Sequence, residues 1–437
     1  MEKLLELASM SADQVEIYAI KQKSDSVTFE NAKLKDIDSS IQSGLSLRII
    51  KDGKTGFAYT KNLHDREGLI RNAVDSLKGG VEGQLDFPYT KDIAEVDSYD
   101  SAIESLMNEK LYEECSRICE YLTGKTKGQI NVNSEITTDD IRIINNQGTD
   151  IANKSSHYSL TPFVLYPGSY ASIYRMFRRK KFEAVPNDFL DYILHTYNSS
   201  EKEVSLKSGK VKTLFLPETM YVLMWRLRFA SNGKNIYVKE SPLIDKIGDT
   251  IFDERVTIFD DPLNDNFPGA RSFDDEGIPC RRLDVVRNGV LRNFYYDLFY
   301  AKKMNTQPTG HGFKSAMWGG ETVSLKPTPS LQHLFIEPGN KSIGEIINSI
   351  DKGIIIPEAM GAHSGNIPNG DFSVGLSPGL YVENGEITGH IKDAMVTGNI
   401  YDLFNTVLEI EDTVHPSSGG TFPAILFDNV SVGTKTS

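Results

Sequence analysis

The chain is poor in the residues that most often carry metal and redox chemistry. Among its 437 residues there are three cysteines, Cys115, Cys119 and Cys280, an odd and sparse set that excludes a disulfide scaffold and suits a reducing compartment. The histidines, His64, His157, His195, His311, His333, His363, His390 and His415, contain no pair three or four residues apart, so no helix offers two imidazoles on one face. None of them is followed by glutamate. Basic residues are outnumbered by acidic ones, 47 to 60, and the resulting net charge of −13 repels nucleic acid at long range. No apolar run approaches the roughly 18–20 residues needed to span a bilayer. The opening MEKLLELASMSADQVEIYAI lacks both a sustained apolar core and a small-residue cleavage site. These absences predict a cytoplasmic protein that engages neither membrane nor nucleic acid. No G-x-S-x-G frame surrounds Ser364-Gly365 or Ser418-Gly419, and no G-x-x-x-x-G-K-[ST] loop occurs, so a hydrolase elbow and ATP-driven chemistry lack support.

What is present is ordinary globular composition, 39% hydrophobic and 24% charged, in a chain long enough for two or three domains. Leu4, Leu5, Leu7 and Ala8 predict an amphipathic N-terminal helix. Strands follow at VEIYAI, SDSVTFENAKLKDIDSS and LSLRIIKDGKTGFAYT, the last turning at Asp52-Gly53. A helix over about His64–Leu77 stops at Lys78-Gly79-Gly80, where glycine tolerates a left-handed cap. Val81–Ser101 reads as a linker, and a helix over Ser105–Thr123 opens a second set of strands closed by a helix near Phe189–Tyr197. Arg142-Ile143-Ile144 echoes Arg48-Ile49-Ile50, a faint sign of duplication, with chance similarity of two hairpins as the alternative. The expected organisation is α+β: related strand-plus-helix units at 1–82 and 102–204, then a larger strand-rich C-terminal domain at 211–437.

That third region starts with a strand and a helix from Pro217 to about Ala230. Met220, Leu223, Met224 and Leu227 share one face, Val222, Trp225 and Phe229 the opposite one, and Arg226 and Arg228 lie on the flanks. A helix apolar on two sides is expected to be buried on both. Further helices are expected near Ser342–Ile350 and Asn399–Val407. Between them GAHSGNIPNGDFSVGLSPGLYVENGEITGH reads as a glycine-rich loop and a hairpin turning at Asn384-Gly385.

Together with FDDEGIP (Phe273–Pro279) and VVRNGVLRNF (Val285–Phe294), this segment resembles the C-terminal part of the TldD/PmbA family, known as modulators of DNA gyrase and as an intracellular metalloprotease system. The resemblance extends over nearly the whole chain. It implies that zinc-bearing members carry HExxxH on the helix at Pro217–Ala230 and a cysteine in the loop at Gly361–Gly370. Here that helix has no histidine, and no cysteine follows Cys280. The chain therefore looks like the PmbA/TldE-like partner that lacks the motif, with no catalytic residue and no metal or cofactor of its own; zinc is expected in a TldD-like partner.

By the same resemblance, small or unfolded peptides are the substrates, a TldD-like zinc protease subunit is the partner, and the lone chain forms a homodimer. Whether it is an enzyme is left open. The alternatives are an independently active metallopeptidase with unrecognised ligands, for example His363 and His390 with a carboxylate, and a non-enzymatic regulatory protein. Candidate groove residues are Arg226, Asp274, Asp275, Glu276, His363, Ser364 and Gly365. The acidic triplet is expected in a solvated turn that reaches peptide backbone. YRMFRRKKF (Tyr174–Phe182) is the one basic, aromatic patch, expected as a solvated strand end or partner surface rather than a nucleic-acid site.

Overall fold

Alternation of apolar residues builds the N-terminal half. The structure, a computed structural model, describes residues 1–80, 85–316 and 319–434. Strands β1 (Gln14–Glu30), β2 (Lys33–Lys51), β3 (Lys54–Thr60), β4 (Gln129–Asn145) and β5 (Asp150–Leu165) form one sheet in the order β3-β2-β1-β4-β5. Short strands Ser172–Tyr174 and Phe177–Arg179 pair with β5. VEIYAI and the strand after it are a single strand, because the polar Lys21–Asp25 segment is laddered to β2 and β4 on both sides. Backbone pairing does not need apolar side chains, so a polar interval does not end the strand.

Helices α1 (Glu2–Ser9), α2 (Arg66–Ser76), α3 (Asn108–Leu122) and α4 (Asn187–Ser199) stand where the periodicity predicts them. They cover one face of the sheet. Val15, Ile17, Leu47 and Ile49 meet α1 and α2, while Val27, Phe29, Ile130 and Val132 meet α3 and α4. Helix α2 ends through a 3-10 turn, Leu77–Gly79, with Gly80 at φ −66°, so the expected left-handed glycine cap does not form. The two N-terminal units share one sheet through the β1–β4 pairing. Of the expected linker, residues 81–84 lie outside the described residues, while Leu85 and Phe87 pack on Ile50. The Arg-Ile-Ile echo falls on β2, the second strand of the first unit, and on β4, the first strand of the second.

The C-terminal region holds a second large sheet. Its centre is Ile425–Thr434, Gly209–Phe215, Lys352–Ile356 and Gly379–Glu383, paired in that order. Leu214, Ile355, Leu380 and Leu426 pack toward α3 and α4. Phe215, Ile354, Ile356, Ile425 and Phe427 point the other way, toward helix α5 (Met220–Ser231). The period of two thus buries both faces. Behind α5 lies a smaller sheet that includes Ile258–Asp260, Leu283–Arg287, Leu334–Ile336 and Gly420–Phe422. The Asn384-Gly385 hairpin forms as predicted, with φ of 52° and 80°. The molecule is α+β, with a strand-rich C-terminal domain larger than the N-terminal units. Among the described residues no helix is long and apolar enough to cross a membrane.

Candidate functional site

Helix α5 has two unlike sides. Met220, Leu223, Met224 and Leu227 are buried between the two C-terminal sheets, as their spacing predicts. The second apolar side is not buried throughout. Val222 is inside, but Trp225 and Phe229 are half-buried and join Tyr221, Arg228 and Asn232 as one wall of a groove of about 680 Å³. The opposite wall comes from Thr328–Gln332 and the turn at Ser418-Gly419. Arg228 donates to the Leu331 carbonyl and accepts the close approach of Gly419, where a Cβ would come within 2.9 Å of its guanidinium. Asn232 donates to the Pro329 carbonyl at 3.0 Å, and Tyr295 donates to the Arg228 carbonyl at 2.6 Å. The groove is therefore fixed at both lips.

Arg226 lies on neither lip. It is fully buried and ties the glycine loop to the helix, donating to the Ser364 carbonyl at 2.7 Å, the Asp371 carbonyl at 3.0 Å and the Val222 carbonyl at 2.8 Å. Burial lowers its pKa to about 10, which leaves it charged at neutral pH. Ser364 is half-buried at this tether, and Gly365 is required there because a Cβ would come within 2.6 Å of the Asp371 carbonyl oxygen at a φ of +100°. His363 is exposed on the same loop. None of these three loop residues lines the α5 groove.

The acidic triplet departs from expectation. Asp274, Asp275 and Glu276 are buried rather than solvated, and each turns to a different partner set. Asp274 accepts from the backbone N–H groups of Glu276, Ile278 and Gly312 at 2.8–2.9 Å. Asp275 accepts from Arg271 at 2.8 Å and from the Lys314 N–H at 2.7 Å. Glu276 accepts from Arg48 at 2.6 Å and from the Leu298 N–H at 2.7 Å. Arg48 also binds Glu16 at 2.8 Å, so one guanidinium serves two carboxylates. Burial raises Glu16 to about 7, against the pull of Arg48, and lifts Asp274 well above the carboxylate range. The triplet joins the N-terminal sheet to the C-terminal domain. It does not line the α5 groove.

The basic patch is internal in its first half. Arg175 is buried, stacks over Tyr192 at 4.3 Å and faces Glu218 at 3.8 Å, while Arg179 covers Phe177 at 4.2 Å. Arg178 donates to the Ser417 carbonyl at 3.2 Å. Tertiary partners take up Arg175, Phe177 and Arg178, while Arg179 is half-exposed and Lys181 exposed, so only the end of the patch is solvated.

Zinc does not fit the donors on the groove wall. Tyr221, Trp225, Arg228, Phe229 and Asn232 include no imidazole, thiolate or carboxylate, and guanidinium cannot ligate as a cation. His390 donates from Nδ1 to the Ser200 carbonyl, 2.7 Å away, with its ring against Tyr166, and so does not join His363. Among the described residues no three His, Cys, Asp or Glu side chains gather as a metal site. What sequence reasoning missed is the open side of α5. The signal was present: Tyr221, Trp225, Arg228 and Asn232 recur at helical spacing and mix aromatic with polar groups.

Residues 208–434 match the family model described as the PmbA/TldA metallopeptidase C-terminal domain, and residues 15–78 match the one described as domain 1. An uncharacterized protein of Methanocaldococcus jannaschii is 26% identical, over 94% of this chain and 95% of its own length. A protein of the same organism named as a metalloprotease is 24% identical, over 92% of this chain and 90% of its own. The crystal structure of TldE from Thermococcus kodakarensis superposes with a TM-score of 0.91 at 22% identity, covering 99% of each chain, and so shares the fold. With its C-terminal domain model spanning more than half of the residues, the chain belongs to the PmbA/TldD metallopeptidase family.

Proposed function

We propose that this chain is the PmbA/TldE-like subunit of a two-component metallopeptidase, shaping a peptide-binding chamber while a TldD-like partner supplies zinc and hydrolysis. The observation that carries this reading is the α5 groove. It stands on the helix where the resemblance expects metal ligands, yet its wall is Tyr221, Trp225, Arg228 and Asn232. Aromatic faces and amide or guanidinium donors suit an extended peptide, whose backbone presents carbonyls at regular spacing. The tether from Arg226 to Ser364 and Asp371 supports a shaped loop beside that helix. In this reading the substrates are small or unfolded peptides in the cytoplasm, and the chain alone forms the homodimer that corresponds to the heterodimer.

The test is reconstitution. The purified chain is assayed against a mixed unfolded-peptide substrate alone, with an HExxxH-bearing family member, and with that member after chelation. Hydrolysis that requires both proteins and the partner's metal is expected. Hydrolysis by this chain alone would instead favour an independent metallopeptidase, and no gain on mixing would favour a regulatory binding protein.

A further inference from the structure

A second cavity, of about 300 Å³, lies where the N-terminal sheet meets the C-terminal domain, and Gln332 lines both it and the α5 groove. That size is at the lower end of the roughly 300–1,000 Å³ typical of small-ligand sites. Its floor is the face of β1 and β4 turned away from α1 and α2, with Tyr18, Gln22, Asp139 and Ile141. Its walls are His157, Arg178, Arg271, Asp275, Lys314 and His333.

The hydrogen bonding of this lining is incomplete. Both carboxylates are already engaged, Asp139 by Gln22 at 2.7 Å and Asp275 by Arg271 and the Lys314 N–H. Arg271 is matched to Asp275, but the other two cations, Lys314 and Arg178, have no carboxylate partner among the described residues. Lys314 is buried, and its ammonium rests on two neutral acceptors, Ser46 Oγ at 2.9 Å and the Leu325 carbonyl at 2.6 Å. Arg178 has the Ser417 carbonyl. Among the described residues Nε of Arg271 is buried with no hydrogen-bond partner, and the hydroxyl of Tyr18, a residue only 1% exposed, makes no well-formed hydrogen bond and has only the nearby Asp275 carboxylate to face. Buried donors left unpaired cost about 1–3 kcal/mol each, so a site that keeps one of them, and a second poorly bonded, beside surplus cations is shaped for oxygen acceptors. One acceptor is also left over. His333 Nε2 is bonded to the Gly269 carbonyl, so the neutral ring presents Nδ1, which is buried and unpaired among the described residues, as an acceptor. Burial lowers the pKa of His333 and His157, which favours those neutral rings.

We propose that this cavity binds the C-terminal residue of a peptide, its carboxylate meeting Tyr18, Arg271, Arg178 and Lys314 and its amide N–H meeting His333 Nδ1. The proposal rests on the peptide-handling function and adds an anchor for one end of the substrate. A peptide held there passes Gln332 to reach the α5 groove.

Binding is measured on the full chain alone by calorimetry, with N-acetyl-dialanine as the free acid, the same dipeptide as its C-terminal amide, and inorganic phosphate. The acid is expected to bind saturably and the amide at least about tenfold more weakly, the loss of one charge-assisted contact. Tyr18→Phe removes only a hydroxyl that makes no well-formed hydrogen bond, so it should weaken the acid by about tenfold while leaving the melting temperature unchanged or higher. Arg178→Met should weaken it as well. Equal binding of acid and amide, wild-type affinity in Tyr18→Phe, or tighter binding of phosphate than of the dipeptide would overturn the proposal. No hydrolysis and no second protein enter this assay, so its failure is distinct from failure of reconstitution.

Discussion

The acidic turn at Phe273–Pro279 and the glycine loop at Gly361–Gly370 are both short, polar and rich in turn residues, and both read as solvent-facing lips of a groove. The fold treats them oppositely. The acidic turn is enclosed, its carboxylates shared among Arg48, Arg271 and backbone N–H groups from two distant segments, at Leu298 and at Gly312–Lys314. The glycine loop stays largely at the surface, with His363, Gly365 and Asn366 exposed and one buried cation, Arg226, holding two carbonyls of the loop and its exit. Burial of charge is therefore a question of how many complementary donors the rest of the chain delivers. The acidic turn is a structural joint; the glycine loop is a tethered surface.

The contrast predicts its largest effect at the joint. Arg48→Met leaves Glu16 and Glu276 buried without their guanidinium, and breaking such a pair is expected to cost about 3–5 kcal/mol. Urea unfolding measures it. A midpoint equal to that of the wild type would show that the joint admits water and is no different from the loop.

A smaller, local effect is expected at the tether. Arg226→Met removes charge-assisted bonds to backbone carbonyls, each worth about 1.5–3 kcal/mol, from a loop whose other end is held by Asn399 and the Ile400 N–H. Hydrogen exchange should quicken across residues 361–373 while β1 and β4 keep their protection. Faster exchange throughout the molecule would mean that loop and core open together, erasing the distinction.

The smallest effect is the pH dependence of the joint. Glu16 titrates near 4.5 when unfolded and near 7 when folded, because burial opposes its charge. Between those values the folded state holds a proton that the unfolded state has released, so stability is full below about 4.5 and falls as pH rises toward 7. Glu358, also raised to about 7 by burial, adds to the same slope from another site. Melting temperatures across this window should decline less steeply in Glu16→Gln than in the wild type. Identical slopes would place the proton elsewhere.

Much of the scaffold is legible from local pattern. Helices α1 to α5 follow from apolar spacing, and the Asp52-Gly53 and Asn384-Gly385 turns follow from backbone positions that few other residues adopt. The lack of histidine on α5 and of cysteine after Cys280 sorts the chain within its family before any coordinates are known. These properties depend on residues a few positions apart.

Only the tertiary structure decided what each face meets. VEIYAI states that Glu16 and Tyr18 share a side, and alternation suggests that the polar side is wet. In the fold that side is covered by residues from the other half of the chain, and Glu276, 228 positions from Arg48, completes the joint. On α5 the reverse occurs: an apolar side that periodicity assigns to the core is left open as the wall of a groove. Periodicity fixes which side chains point together. What covers them depends on partners brought in from far along the chain, and local spacing carries no information about those.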